Sequence, residues 1–164
     1  MQRTPRSAEN RSAIAEDAQC IFERHVRDRK LKSSRVRTDL VRNIASLSGH
    51  FTAETLLGRL DPQVRVSKAT LYRTLGMMCE CGLLISHEFG QGALFYESAL
   101  GQAHHDHFFC VDCRTITEFT SAGIEAMQER VAAEFNFELT THSLKLYGYC
   151  SACSPKRAAA AQPR

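Results

Sequence analysis

The ten residues HHDHFFCVDC bring His104, His105, Asp106, His107, Cys110 and Cys113 together, supplying imidazole nitrogen, carboxylate oxygen and thiolate sulfur, the usual protein ligands for a transition metal. The pair Cys110-x-x-Cys113 is matched by Cys150-x-x-Cys153, with residues 114–149 between them. Two such knuckles let four thiolates converge tetrahedrally on Zn²⁺ while the intervening chain folds. A simple zinc ribbon leaves about 15–20 residues between its knuckles, so this longer loop must enclose a strand-helix-strand unit. Buried thiols without metal, or thioredoxin-like redox pairs, are the competing readings. A redox CxxC needs only one pair at a helix N-terminus, whereas two are present.

The histidines call for a different argument. If residues 104–107 run as a strand, alternation sends His105 and His107 to one face and His104 and Asp106 to the other, so one strand can serve two sites. An isolated HxH is also a common surface pair, and Asp106 also suits a turn. Two carboxylates follow at useful distances: Glu118 in the next extended run, and Glu125 in the first turn of a helix. Glu125 has a second reading there, as a favourable charge at a helix N-terminus.

Positioning these groups requires two halves of different character. Ile14, Ala18, Ile21, Phe22 and Val26 recur at helical spacing and predict a helix over 13–29. Val36, Leu40, Val41, Ile44 and Leu47 predict a second, stopped by Gly49. Thr52 reads as the N-cap of a short helix carrying Leu56, Leu57 and Leu60, ended by Asp61-Pro62. Ser67 caps a longer one, with Leu71, Leu75 and Met78 on its apolar face, Arg73 opposite and Gly82 as its stop. The runs LLISHEF and ALFYE, joined by Gly90-Gln91-Gly92, predict a hairpin. This order is that of a winged helix-turn-helix over 13–98, presenting Lys68, Thr70, Tyr72 and Arg73 to a major groove, with Arg37 of SSRVR as a further DNA contact. Any small α/β domain with solvated Arg and Lys is the alternative.

From 104 onward two short extended runs between Phe108 and Phe119 precede a helix striped by Ile124, Met127, Val131 and Phe135. FELTTHSLKLYGYC then alternates as strands do. The second domain spans 103–153, after a short SALGQ linker, and the segments 1–12 and 154–164 are expected to be loose tails.

Composition narrows the function classes. The chain has 164 residues, 43% of them hydrophobic, with a formal net charge of +3, so any nucleic-acid reading rests on where the basic residues lie and not on their total. No apolar run is long enough to span a bilayer, and the polar start MQRTPRSAENRS does not read as a signal sequence. No membrane partner is expected. Seven cysteines, four of them in CxxC pairs, suit a cytoplasmic thiolate binder better than a disulfide framework. Cys20, Cys79 and Cys81 lie on or at the end of helices, where small buried thiols are common.

Taken together, SKATLYRTL, a Gly-flanked wing, HHDHxxCxxC and the downstream THSLxLYGxC resemble the ferric uptake regulator family of metal-sensing bacterial repressors, over about Arg35 to Cys153. The resemblance implies an N-terminal winged-helix DNA-binding domain, a C-terminal α/β dimerisation domain with a structural zinc, and an inverted-repeat operator bound by a homodimer, with higher oligomers on DNA as an extension. It also implies a regulatory hinge site of His50, Glu97, His105, His107 and Glu118. A second dimerisation-domain site would use His104, Asp106, Glu125 and His142, and the structural zinc Cys110, Cys113, Cys150 and Cys153. SSRVR departs from the family's usual TPQR-like turn, and Cys79-x-Cys81 has no family role.

A His and Glu shell without thiolate suits Fe²⁺, Mn²⁺ or Zn²⁺. Zinc sensors of the family often place a cysteine in the hinge, and there is none between Gly82 and Phe109. Peroxide sensors tend to carry Asp where Glu97 and Glu118 stand. The expectation is therefore an Fe²⁺-responsive repressor of iron-uptake genes and not an enzyme, with zinc, manganese or peroxide sensing as alternatives. From other classes, a metallohydrolase built on the HxH pair and a zinc-stabilised interaction module remain as rivals. Neither a phosphate-binding loop nor a nucleophile elbow supports catalysis.

Overall fold

The computed structural model describes residues 8–45, 47–60, 66–90 and 92–155. The chain divides between Gln102 and Ala103 into two compact units.

The N-terminal unit opens with α1, Ala8–Asp28, which buries Ile14, Ala18, Phe22 and Val26, one residue per turn along a single stripe. It starts earlier than position 13: residues 8–12 expected in a loose tail are helical, while 1–7 and 156–164 lie outside the described residues. α2, Arg35–Ala45, buries Leu40, Val41, Ile44 and Ala45. After the two-residue strand β1, Phe51–Thr52, α3 spans Ala53–Leu57. Thr52 caps it by accepting the Thr55 N–H, and the Thr55 hydroxyl accepts the Thr52 N–H in return, a reciprocal capping box. Leu60 falls beyond this helix, and the Asp61-Pro62 stop lies outside the described residues.

α4, Lys68–Glu80, is capped by Ser67, whose hydroxyl accepts the Thr70 N–H. Its end is fixed by Gly82 at φ +72°: the Leu83 N–H reaches the Met78 carbonyl and the Gly82 N–H the Cys79 carbonyl, so orphan carbonyls are satisfied by a left-handed residue that glycine adopts without strain. Leu71, Thr74, Leu75 and Met78 face inward. Strands β2, Leu84–Glu88, and β3, Leu94–Ser98, pair antiparallel as the wing, and β1 adds to β3 in the order β1-β3-β2. Buried apolar residues from all these elements form one cluster. This is a winged helix-turn-helix.

The C-terminal unit places β4, Asp106–Cys110, between antiparallel β5, Ile116–Phe119, and parallel β6, Lys145–Gly148. Between β5 and β6 runs α5, Ala122–Glu134, capped by Ser121 and ended by Asn136 at φ +53°. The stripe on α5 is largely exposed: Met127 is 50% exposed and Phe135 77%. One expectation needs correction. Of FELTTHSLKLYGYC only Lys145–Gly148 is strand, because a ladder forms only where β4 offers a free edge. Phe109, Cys110, Ala132 and Cys153 are the buried apolar and thiol groups described for this unit, a small core that calls for a staple.

Candidate metal centres and nucleic-acid interface

The parallel pairing of β4 with β6 sets Cys110 opposite Gly148, which brings the two CxxC turns to one end of the sheet. The four sulfurs converge within 4.8 Å of one another, and the Sγ atoms of Cys113 and Cys150 are 3.6 Å apart. A tetrahedron with Zn–S bonds of about 2.3 Å has sulfur-sulfur edges of about 3.8 Å, so the cluster is already near the shape of a zinc site. All four thiols are free of disulfides. The Cys150 and Cys113 backbone N–H groups hold the Cys110 thiol down to about 6, and Thr115 lowers that of Cys113. Burial pushes the Cys153 thiol up. Donors aimed at sulfur are what a bound dication would reinforce by keeping each ligand a thiolate.

A second cluster joins His104, Asp106, Glu125 and His142, again within 4.8 Å. Nε2 of His104 lies 3.7 Å from Asp106 Oδ1 and 3.4 Å from Glu125 Oε1, while Nε2 of His142 lies 3.7 and 3.5 Å from the same two carboxylates. The Asp106 side chain is 1% exposed. Neither of its oxygens has a hydrogen-bond partner among the described residues, nor do Glu125 Oε1 and His142 Nε2. Buried polar atoms left unsatisfied are costly, and here they converge on one point, which fits a cation held by two imidazoles and two carboxylates.

The five residues carried over as hinge ligands fall on both units. In the N-terminal unit His50 precedes β1 and Glu97 lies on β3, their Nε2 and Oε2 atoms 3.5 Å apart. Glu97 is 1% exposed. In the C-terminal unit the His105 and His107 rings lie 4.9 Å apart, and Nε2 of His105 is 4.0 Å from Glu118 Oε1. His105 Nδ1 lies 3.0 Å from the Ala103 carbonyl, which can only accept, so Nδ1 donates there and a metal would be met through Nε2. The strand begins only at Asp106, but His105 still lies beside His107 and His104 beside Asp106.

One residue of this region was not among the expected ligands: His87 on β2, whose Nε2 is 2.6 Å from Glu97 Oε1. The hairpin register offered the signal. His87 pairs with Phe95, so Glu97, two residues on, is its diagonal neighbour on the same face.

On α4, Lys68, Tyr72 and Arg73 are exposed, while Thr70 is half-buried and engaged with the Ser67 cap. The Tyr72 hydroxyl donates to Glu54 on α3, which raises the phenol and lowers the carboxyl from their ordinary values. Arg37 on α2 donates to the Lys32 carbonyl at 3.4 Å.

A winged helix linked to a unit with convergent thiolate and His/carboxylate clusters defines a metal-dependent DNA-binding regulator. The profile of the ferric uptake regulator family matches residues 28–147. A ferric uptake regulation protein of Campylobacter jejuni is 35% identical over 140 residues, covering 84% of this chain and 88% of the relative. The crystal structure of the Vibrio cholerae ferric uptake regulator is 34% identical, with a TM-score of 0.67 over 78% of this chain and 98% of that one. The structure of the Helicobacter pylori ferric uptake regulator, at 22% identity, shares the fold, with a TM-score of 0.78 over 93% of this chain and 97% of its own. The chain belongs to the ferric uptake regulator family. It is a metal-responsive transcriptional regulator and not an enzyme; nothing supports the metallohydrolase reading of the HxH pair. No helix among the described residues is long and apolar enough to cross a membrane.

Proposed function

We propose that this chain is a cytoplasmic, dimeric repressor that binds an inverted-repeat operator when Fe²⁺ occupies a hinge site formed by His50, Glu97, His105, His107 and Glu118. The observation that carries the reading is the pair of incomplete donor sets: a buried Glu97 beside His50 in the winged-helix unit, and His105 with His107 and Glu118 in the other. Neither set has the four to six donors that a first-row dication takes, and together they supply five, all nitrogen or oxygen. Because His50 and Glu97 belong to the DNA-binding unit, ligation by both sets couples occupancy to the orientation of α4. A metal that favours one arrangement shifts the population toward it by its differential affinity.

Iron is favoured by the thiolate-free shell and by the name of the Campylobacter jejuni relative, a ferric uptake regulation protein. Mn²⁺ and Zn²⁺ fit the same donors, and the Irving-Williams order favours Zn²⁺ over Fe²⁺, so availability must contribute to selection. Cys110, Cys113, Cys150 and Cys153 would hold a structural Zn²⁺, which supplies a tetrahedral cross-link between β4 and the segment after β6. His104, Asp106, Glu125 and His142 would hold a further divalent ion.

The exposed apolar face of Met127, Val131, Phe135 and Phe137 supports dimerisation through the C-terminal unit, since a face of this kind is unusual on a monomer. Two copies of α4 related by a twofold axis then read two half-sites through Lys68, Tyr72 and Arg73, with Thr70 and Arg37 at the margin. Anaerobic titration of an operator duplex with the zinc-loaded protein, with and without Fe²⁺ or Mn²⁺, tests the reading. Metal-dependent affinity is expected, and affinity indifferent to metal would overturn it.

A further inference from the structure

The buried carboxylate of Glu97 meets two imidazoles through different oxygens. Oε2 lies 3.5 Å from His50 Nε2, and Oε1 lies 2.6 Å from His87 Nε2. An ionised carboxylate can only accept, so His87 Nε2 must carry a proton and donate it to Oε1. A nitrogen so engaged has no lone pair to offer a metal. We infer that His87 is a positioning residue for the hinge site, fixing Glu97 so that Oε2 stays turned toward His50 and the metal. This rests on the reading of Glu97 as a regulatory ligand.

The surroundings make His87 suited to that role. It sits on β2 in register with Phe95, its ring packs at 5.9 Å from that of Phe89, and it is itself buried. Phe89 in turn meets Phe95 edge-on at 5.5 Å. A rigid hairpin with an aromatic buttress therefore holds the donor, and the donor holds the ligand. Without it Glu97 could rotate, and one buried oxygen would lose a charge-assisted hydrogen bond. Removing partners that orient metal ligands lowers metal affinity by about 10- to 100-fold.

The test measures Mn²⁺ affinity from the electron paramagnetic resonance signal of the free ion. It uses zinc-loaded full-length protein carrying His142→Ala, which takes the other His/carboxylate cluster out of the titration. His87→Ala is expected to weaken Mn²⁺ binding by about 10- to 100-fold, whereas His87→Gln, which can place an N–H near the same point, restores it to within about threefold. Urea unfolding of the zinc-loaded variants without Mn²⁺ separates positioning from folding: His87→Ala remains cooperative with a lower midpoint. Should it not fold, His87→Asn carries the test, because its shorter amide cannot reach Oε1 and the same weakening is expected. Unchanged affinity in His87→Ala or His87→Asn overturns the inference, as does a failure of His87→Gln to rescue. Glu97→Ala distinguishes the parent reading. If it leaves Mn²⁺ binding intact, Glu97 is not a ligand and the hinge assignment falls; if it weakens or abolishes binding while His87→Ala leaves the affinity unchanged, only the positioning role falls.

Discussion

The carboxylate of Asp106 stands 3.7 Å from Nε2 of both His104 and His142, buried and without a hydrogen-bond donor among the described residues. Two residues far apart in sequence are thus brought to one acid that the strand β4 turns inward. An ion bound there only in the folded state stabilises by about 2.7 kcal/mol at one hundred times its dissociation constant. Adding Mn²⁺ to zinc-loaded protein should raise the melting temperature. His142→Ala should remove the part of that increment that comes from this cluster and keep the part that comes from the hinge ligands, and an equal increment in the variant would show that the ion binds elsewhere.

Cys150→Ser should behave differently from His105→Ala. The apolar core described for the C-terminal unit is small, and structural zinc in small domains contributes roughly 10 to 16 kcal/mol of apparent binding energy, so losing one thiolate should abolish cooperative unfolding of that unit. His105→Ala should keep both the zinc and the fold, and lose only metal-dependent DNA binding. Zinc content and thermal unfolding of the two variants decide the matter; identical unfolding would erase the division between structural and regulatory sites.

The cysteine cluster also predicts a titration. Backbone N–H groups from Cys150 and Cys113 hold the Cys110 thiol at about 6, below its ordinary value. Because the folded value is depressed, this contribution is present in full above the unfolded thiol pKa and fades as pH falls through about 6. Thiolate ultraviolet absorbance of the reduced protein, read immediately after its zinc is chelated and before the unit loses its structure, should therefore show a step near pH 6 that Cys110→Ser removes. A first step above pH 8 would contradict the geometry.

Arg73 is exposed on α4, opposite the face that buries Leu71, Leu75 and Met78. Arg73→Ala should leave the melting temperature nearly unchanged and weaken operator binding. If the guanidinium meets a phosphate, the salt slope of the affinity should also fall by about one. Equal affinity at fixed salt would remove Arg73 from the interface.

What the sequence disclosed follows from where the determining physics lies. Ser67 and Thr52 as caps, Gly82 as a stop and the paired CxxC turns are local, because each depends on atoms a few residues away. The alternation in HHDH likewise separates His104 with Asp106 from His105 with His107. His87 escaped because its bond to Glu97 crosses a hairpin and depends on register as well as residue type. The stripe on α5 is legible by periodicity, and Met127, Val131 and Phe135 stay exposed; periodicity marks an apolar face without saying what covers it. Thr70 fits a reading position on α4, but the Ser67 cap engages its hydroxyl, a competition the spacing alone does not reveal.

We propose above that metal at the His50, Glu97, His105, His107 and Glu118 ligands controls DNA binding. The most direct test of this is the operator affinity of zinc-loaded protein, titrated with Fe²⁺ under anaerobic conditions beside a Glu97→Ala variant. Affinity should rise by at least about tenfold, or about 1.4 kcal/mol, for the natural chain and stay flat for the variant. Equal affinity with and without Fe²⁺ in the natural chain, or a full response in Glu97→Ala, would contradict it.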